Sequence, residues 1–107
     1  MGAITGTVVK KTELSGEYQT LILTATPAAA SDTVTLTAAD HGMDEIIFAH
    51  AHLTAGLDAN LTLLQTSHDS GAVITIKQLK ADGATEASDW TGAALEIIVI
   101  GRVADNT

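Results

Sequence analysis

Cysteine is absent from this chain of 107 residues, so neither disulfides nor thiolate metal ligands are available. At this size stability must come from packing, to which association with other subunits can add. Proline occurs once and aromatics amount to one Phe, one Tyr and one Trp, which leaves the core to aliphatic side chains. No stretch approaches the ~18 uninterrupted apolar residues of a membrane helix. Met1-Gly2-Ala3-Ile4-Thr5 has neither the basic nor the hydrophobic region of a secretion signal, so the expectation is a protein made in a cytoplasm that leaves only as part of something larger. Positive charge is scarce: five Lys plus Arg stand against 13 Asp plus Glu, a formal net charge of −8. Phosphate backbones and anionic headgroups are repelled by such a surface, which excludes nucleic acid and membranes as expected partners and suits docking on a basic scaffold.

What the chain has is β signal. β-branched residues are dense, Thr alternates with aliphatics, and Gly, Asp, Asn and Ser cluster between the runs. The pattern predicts seven strands, at Ile4 to Lys11, Tyr18 to Ala25, Thr33 to Thr37, Glu45 to Leu53, Leu61 to Thr66, Ala72 to Leu79 and Leu95 to Arg102. Ser15-Gly16, Ser70-Gly71 and Asp82-Gly83 supply tight turns, Asp40-His41-Gly42 a bend, and the segment around Pro27 a loop or single turn. The fold class expected is all-β: one compact antiparallel β-sandwich or barrel, jelly-roll-like, spanning residues 1–107 as a single domain. Leu-Thr-Ala recurs at Leu23, Leu36 and Leu53, but uneven spacing and unlike flanks mark composition rather than duplication.

The face pattern carries the functional information. Thr33-Val34-Thr35-Leu36-Thr37 alternates cleanly, with one face for a core and Thr hydroxyls for water. Leu95-Glu96-Ile97-Ile98-Val99-Ile100 is apolar on both faces, and Tyr18 to Leu23 and Glu45 to Ala49 show the same doubling. A two-layer domain has one interior, so a second apolar face needs a loop, a barrel wall or a neighbouring subunit to cover it. The contact residues expected on this basis are Leu21, Leu23, Ile98 and Ile100, with Trp90 as an aromatic anchor or a plug over the end of the sandwich. Pairing of strand edges between copies is a second route to an oligomer.

Candidates for chemistry are few. His50 and His52 lie two apart on a strand and so present two imidazoles to one side, the weak candidates for a metal site; a third ligand would have to come from His41, His68 or a carboxylate such as Asp44. His68-Asp69-Ser70 contains the residue types of a hydrolytic triad, but contiguous residues cannot fold back on one another as a triad requires, and a turn is the expected structure. Asp40, Asp44, Glu45 and Asp58 do not form a calcium loop, and the scattered glycines form no phosphate cradle. With 3% aromatic residues, stacking platforms for glycans are too few. The expectation is a protein without catalytic residues and without a cofactor, acting through its surfaces.

The Thr-rich strands through Thr33 to Thr37, the loop Gly56-Leu57-Asp58-Ala59-Asn60 and Asp89-Trp90-Thr91-Gly92 before the last strand give the whole chain a resemblance to small virion structural proteins of tailed bacteriophages, nearest to the head decoration or cement type. The resemblance implies a non-enzymatic subunit located on the capsid surface of the virion, a homo-oligomer, commonly a trimer, that binds the major capsid protein and stabilises the head. It departs from the type in having its β pattern begin almost at once at Ile4, without a long N-terminal arm. A neck or tail component of the same kind of virion is the first alternative, and a metal- or ligand-binding module using His50 and His52 the second.

Overall fold

A computed structural model describes residues 2–13, 17–56, 63–69, 71–80, 82–87 and 92–103. Its elements, in chain order, are β1 (Gly2–Ala3), β2 (Thr7–Glu13), β3 (Tyr18–Ala25), β4 (Ser31–Thr35), the single helical turn α1 (Ala38–His41), β5 (Met43–Ala55), β6 (Leu63–His68), β7 (Val73–Leu79) and β8 (Ala94–Val103). They form two four-stranded sheets, the first in the order β1-β4-β7-β6 and the second in the order β2-β3-β8-β5. Every pairing is antiparallel except the two-residue contact of β1 with β4. The all-β sandwich expected from the sequence is thus the architecture. It is not a closed barrel: along one side β5 meets the first sheet through single hydrogen bonds, Ala51 N to Thr66 Oγ1 at 3.1 Å and Ile46 N to Gly71 O at 2.9 Å.

Period-two alternation builds the core. From β3 come Leu21 and Leu23, from β8 Leu95, Ile97 and Val99, from β7 Ile74 and Ile76, and from β4 Val34, all essentially without solvent exposure. At roughly 1.5–3 kcal/mol per fully buried aliphatic side chain, this set supplies the main drive to fold a chain without disulfides. Two polar residues share the first sheet's inner face. Asp32 and Gln78 are both fully buried; Gln78 Nε2 donates to Asp32 Oδ2 and to Ala29 O, both at 2.6 Å, and Ala28 N donates to Asp32 Oδ2 at 3.1 Å. Asp32 Oδ1 and Gln78 Oε1 find no partner among the described residues.

Several boundaries move for identifiable reasons. The predicted first strand is two strands, β1 in the first sheet and β2 in the second, because the chain crosses between layers at Gly6. A Cβ there would lie 2.9 Å from Val34 Cγ1 and 3.1 Å from Leu23 Cδ1, so glycine lets the backbone pass against the core. The predicted bend at Asp40 to Gly42 is α1, whose first turn is capped by Thr37 Oγ1 accepting from Asp40 N at 3.0 Å; Gly42 then leaves it at φ 71°. His41 is buried at this junction. Its Nδ1 accepts from Thr37 N and its Nε2 donates to Gly6 O, both at 2.9 Å, so one ring ties α1 to the crossover. The turn at Asp82-Gly83 is wider than two residues, closed by Lys80 N donating to Thr85 O at 2.8 Å. The Ser15-Gly16 turn lies outside the described residues, as does Ser70.

Candidate functional site

The second sheet turns its other face to solvent, and strand register fixes what that face displays. Across β2, β3, β8 and β5 the outward residues align in rows: Thr7, Thr24, Glu96 and His52; then Lys10, Ile22, Ile98 and His50; then Thr12, Thr20, Ile100 and Phe48; and last Tyr18, Arg102 and Glu45. The two middle rows carry an apolar patch of Ile22, Ile98, Ile100 and Phe48, with Phe48 49% exposed. Ionisable groups bound the patch at both ends, Glu96 with His52 at one and Arg102 with Glu45 at the other. A patch of aliphatics and one aromatic inside a polar rim is the composition of a protein contact surface.

Each end is internally paired. His52 Nε2 lies 3.2 Å from Glu96 Oε1, and the His50 and His52 rings stack with centroids 6.5 Å apart. Arg102 Nε lies 3.2 Å from Glu45 Oε1 and 3.6 Å from Glu17 Oε2, and its guanidinium sits over the Tyr18 ring at 5.9 Å. The interaction with the Tyr18 side chain, and after it the charges of Glu45 and Glu17, hold the Arg102 guanidinium still more firmly protonated than usual. These groups are well exposed, so the pairs orient side chains more than they stabilise the fold. Beyond the Glu96 row, the same end of the sheet holds a cleft of about 240 Å³ lined by five threonines, Thr5, Thr7, Thr24, Thr26 and Thr54.

His50 and His52 do share one face, as their spacing requires, with Glu96 beside His52. Among the described residues no three His, Asp or Glu side chains converge on a point that would hold a metal ion. His41, one of the possible third ligands, is occupied on both ring nitrogens by backbone groups, Thr37 N and Gly6 O. In the triad-like segment, His68 Nδ1 meets Asp69 O at 2.9 Å, and Asp69 Oδ1 accepts from Gly71 N at 2.8 Å and Val73 N at 3.2 Å, the hydrogen bonding of a turn between β6 and β7. Asp40 and Glu45 lie apart, Asp40 within α1 and Glu45 paired with Arg102. Comparison with protein-family models, curated proteins and solved structures finds no match.

Of the contact residues expected from sequence, Ile98 and Ile100 lie on this outer face and are partly exposed. Leu21 and Leu23 do not. Both are fully buried between the sheets, because β3 turns Gln19, Leu21, Leu23 and Ala25 inward and Tyr18, Thr20, Ile22 and Thr24 outward. That placement corrects the expectation: Ile22 is the aliphatic that β3 contributes to the outer face. The pattern concealed it because Gln19, a polar residue, sits on the buried side, donating to Gly42 O at 3.0 Å. Trp90 lies outside the described residues. Nothing in the sequence alone marks Phe48, Glu96 and Arg102; their alignment with Ile98 and Ile100 follows from the register of β5 on β8.

Proposed function

We propose that this chain is a non-enzymatic structural subunit that self-associates and binds the outside of a bacteriophage head, in the manner of a decoration or cement protein. The observation that carries the reading is the outer face of the second sheet, where Ile22, Ile98, Ile100 and Phe48 form an apolar patch within a charged rim on a domain whose core is already complete. An acidic protein with a net charge of −8 is suited to docking on a basic lattice, and repeated weak contacts over a shell hold by avidity rather than by a single tight interface. The resemblance to decoration proteins supplies the head as the location, the major capsid protein as partner and a trimer as the oligomer. A neck or tail position in the same virion uses the same surface logic.

The test is sedimentation of the purified chain with heads assembled from the major capsid protein encoded beside it. Saturable co-sedimentation, lost in Ile98→Lys, is expected. Absence of binding to heads, with tail genes as the neighbouring reading frames, moves the protein to the neck or tail.

A further inference from the structure

We infer that two copies of this chain pair face to face through their second sheets, about a two-fold axis that runs across the strands above Val99. The inference rests on the reading of the chain as a self-associating subunit and gives that association a geometry. An isologous contact uses the same surface of both copies, so the face must complement itself; here Ile98 and Ile100 supply the central apolar contact, with Ile22 over Thr20 and Phe48 over His50 beside it. With the axis across the strands, the four rows of the face reverse order: Ile98 meets Ile100, and Glu96 meets Arg102 of the other copy, twice over. His52 likewise faces Glu45. With the axis along the strands each row would face itself, setting Glu96 near Glu96 and Arg102 near Arg102. The charges of this face therefore choose between the two arrangements, since like charges opposed across an interface are strongly unfavourable.

Packed sheets cross at about −30°, which at the end rows, roughly 10 Å from the axis, displaces partners by about one strand spacing. The long Arg102 side chain spans that offset. Four strands about 4.8 Å apart and four rows about 7 Å apart give a footprint of roughly 400 Å², or on the order of 600 Å² of accessible surface per copy once side chains interdigitate. That is about a tenth of the 5755 Å² surface of one chain. It reaches the lower limit of stable interfaces and points to micromolar rather than nanomolar pairing.

Edge pairing is the competing route, and both edges of this sheet oppose it. β2 carries a bulge between Val8 and Lys10 with Lys10 and Lys11 exposed, and β5 has three register shifts along its length. The face remains. A face-to-face contact of this kind closes at two copies, so it yields a dimer where the phage resemblance implies a trimer.

The experiment is complementary charge reversal read by light scattering, with circular dichroism as the check on folding. Wild type is expected at twice the 11.0 kDa of one chain at concentrations of a few hundred micromolar. Glu96→Arg alone and Arg102→Glu alone each oppose like charges in a homodimer, and each is expected to weaken pairing tenfold or more. An equimolar mixture of the two variants restores both attractions and is expected to recover dimers. Ile98→Lys gives an independent reading should either reversal fail to fold: it is expected to be a folded monomer, and a folded dimer of this variant overturns the inference. A mixture that fails to pair overturns it too, as does a wild type that stays monomeric. A trimer indifferent to both reversals overturns the two-fold geometry while leaving the assembly reading intact, and head sedimentation decides that reading separately.

Discussion

The two sheets handle polarity in opposite ways. The first is mostly polar where it meets water, displaying Ser31, Thr33, Thr75, Lys77 and Gln65 beside the exposed Leu63, and it even buries polar groups, Asp32 and Gln78, against the core. The second is aliphatic inside, through Leu21, Leu23, Leu95, Ile97 and Val99, and carries a further apolar patch, Ile22, Ile98, Ile100 and Phe48, within an otherwise polar outer face. A sandwich needs one apolar face per sheet. The first sheet falls short of that requirement and the second exceeds it, so the stabilising surplus and the surface available for association both lie on the second sheet.

Substitution along β8 breaks this comparison most sharply, because Ile97 and Ile98 are neighbours in sequence on opposite faces. Ile97→Ala empties a fully buried position and is expected to lower unfolding free energy by about 2–5 kcal/mol. Ile98→Ala, measured on dilute monomer, is expected to cost less than about 1 kcal/mol and to weaken self-association instead. Denaturant unfolding at low concentration, together with light scattering at high concentration, separates the two. Equal destabilisation by both variants would mean that β8 is enclosed on both faces and that the outer patch is not a surface at all.

Much of this was legible in the sequence. Tyr18 to Ala25 is a strand end to end as read, and Val34 and Leu36 are core as their alternation with Thr required. Where apolar residues occupy both parities, alternation ceases to say which face turns inward, and Leu21 and Leu23 read as well for contact as for core. In β5 the shift between Ile46 and Phe48 turns Ile46 in while leaving Ile47 and Phe48 about half exposed, and no Gly or Pro marks it. In sequence His41 reads as part of a bend; its burial depends on Gly6, 35 residues away, and such a partner leaves no local trace. The Glu96 and Arg102 ends of the patch depend on register between strands, which one strand's sequence does not contain.

The buried polar pair of the first sheet gives a second, smaller test. Gln78→Leu removes the donor to Asp32 Oδ2 and leaves a fully buried carboxylate held by Ala28 N alone, at an expected cost of about 2–3 kcal/mol. Asp32→Asn acts in the other direction. It keeps an acceptor for Gln78 and Ala28 and puts a neutral amide where a carboxyl oxygen finds no partner among the described residues. A gain of about 1 kcal/mol, seen as a rise in Tm, is expected. A fall in Tm would show that the carboxylate charge itself is needed at this position.

The smallest expected effect lies at the far end of the first sheet, in the turn after β7. Asp82 accepts a hydrogen bond from the Thr85 hydroxyl and, through Oδ1, from Thr85 N and Ala84 N, each at 2.8 Å. These donors, the Thr85 hydroxyl foremost, favour the ionised carboxylate and lower its pKa from 3.8 to about 2. Because the folded value is the lower one, the turn's contribution is complete above about pH 4 and is lost as pH falls through about 2. Asp82 is fully exposed, so the loss is local and global unfolding in this window is not expected to hinge on it. Following the Asp82 carboxyl carbon by NMR should give a midpoint near 2, and Thr85→Val, which deletes only the hydroxyl, should move it toward 3.8. A midpoint already near 3.8 in the wild type would mean that water, rather than Thr85, satisfies the carboxylate, and that the polar order of the first sheet ends with its strands.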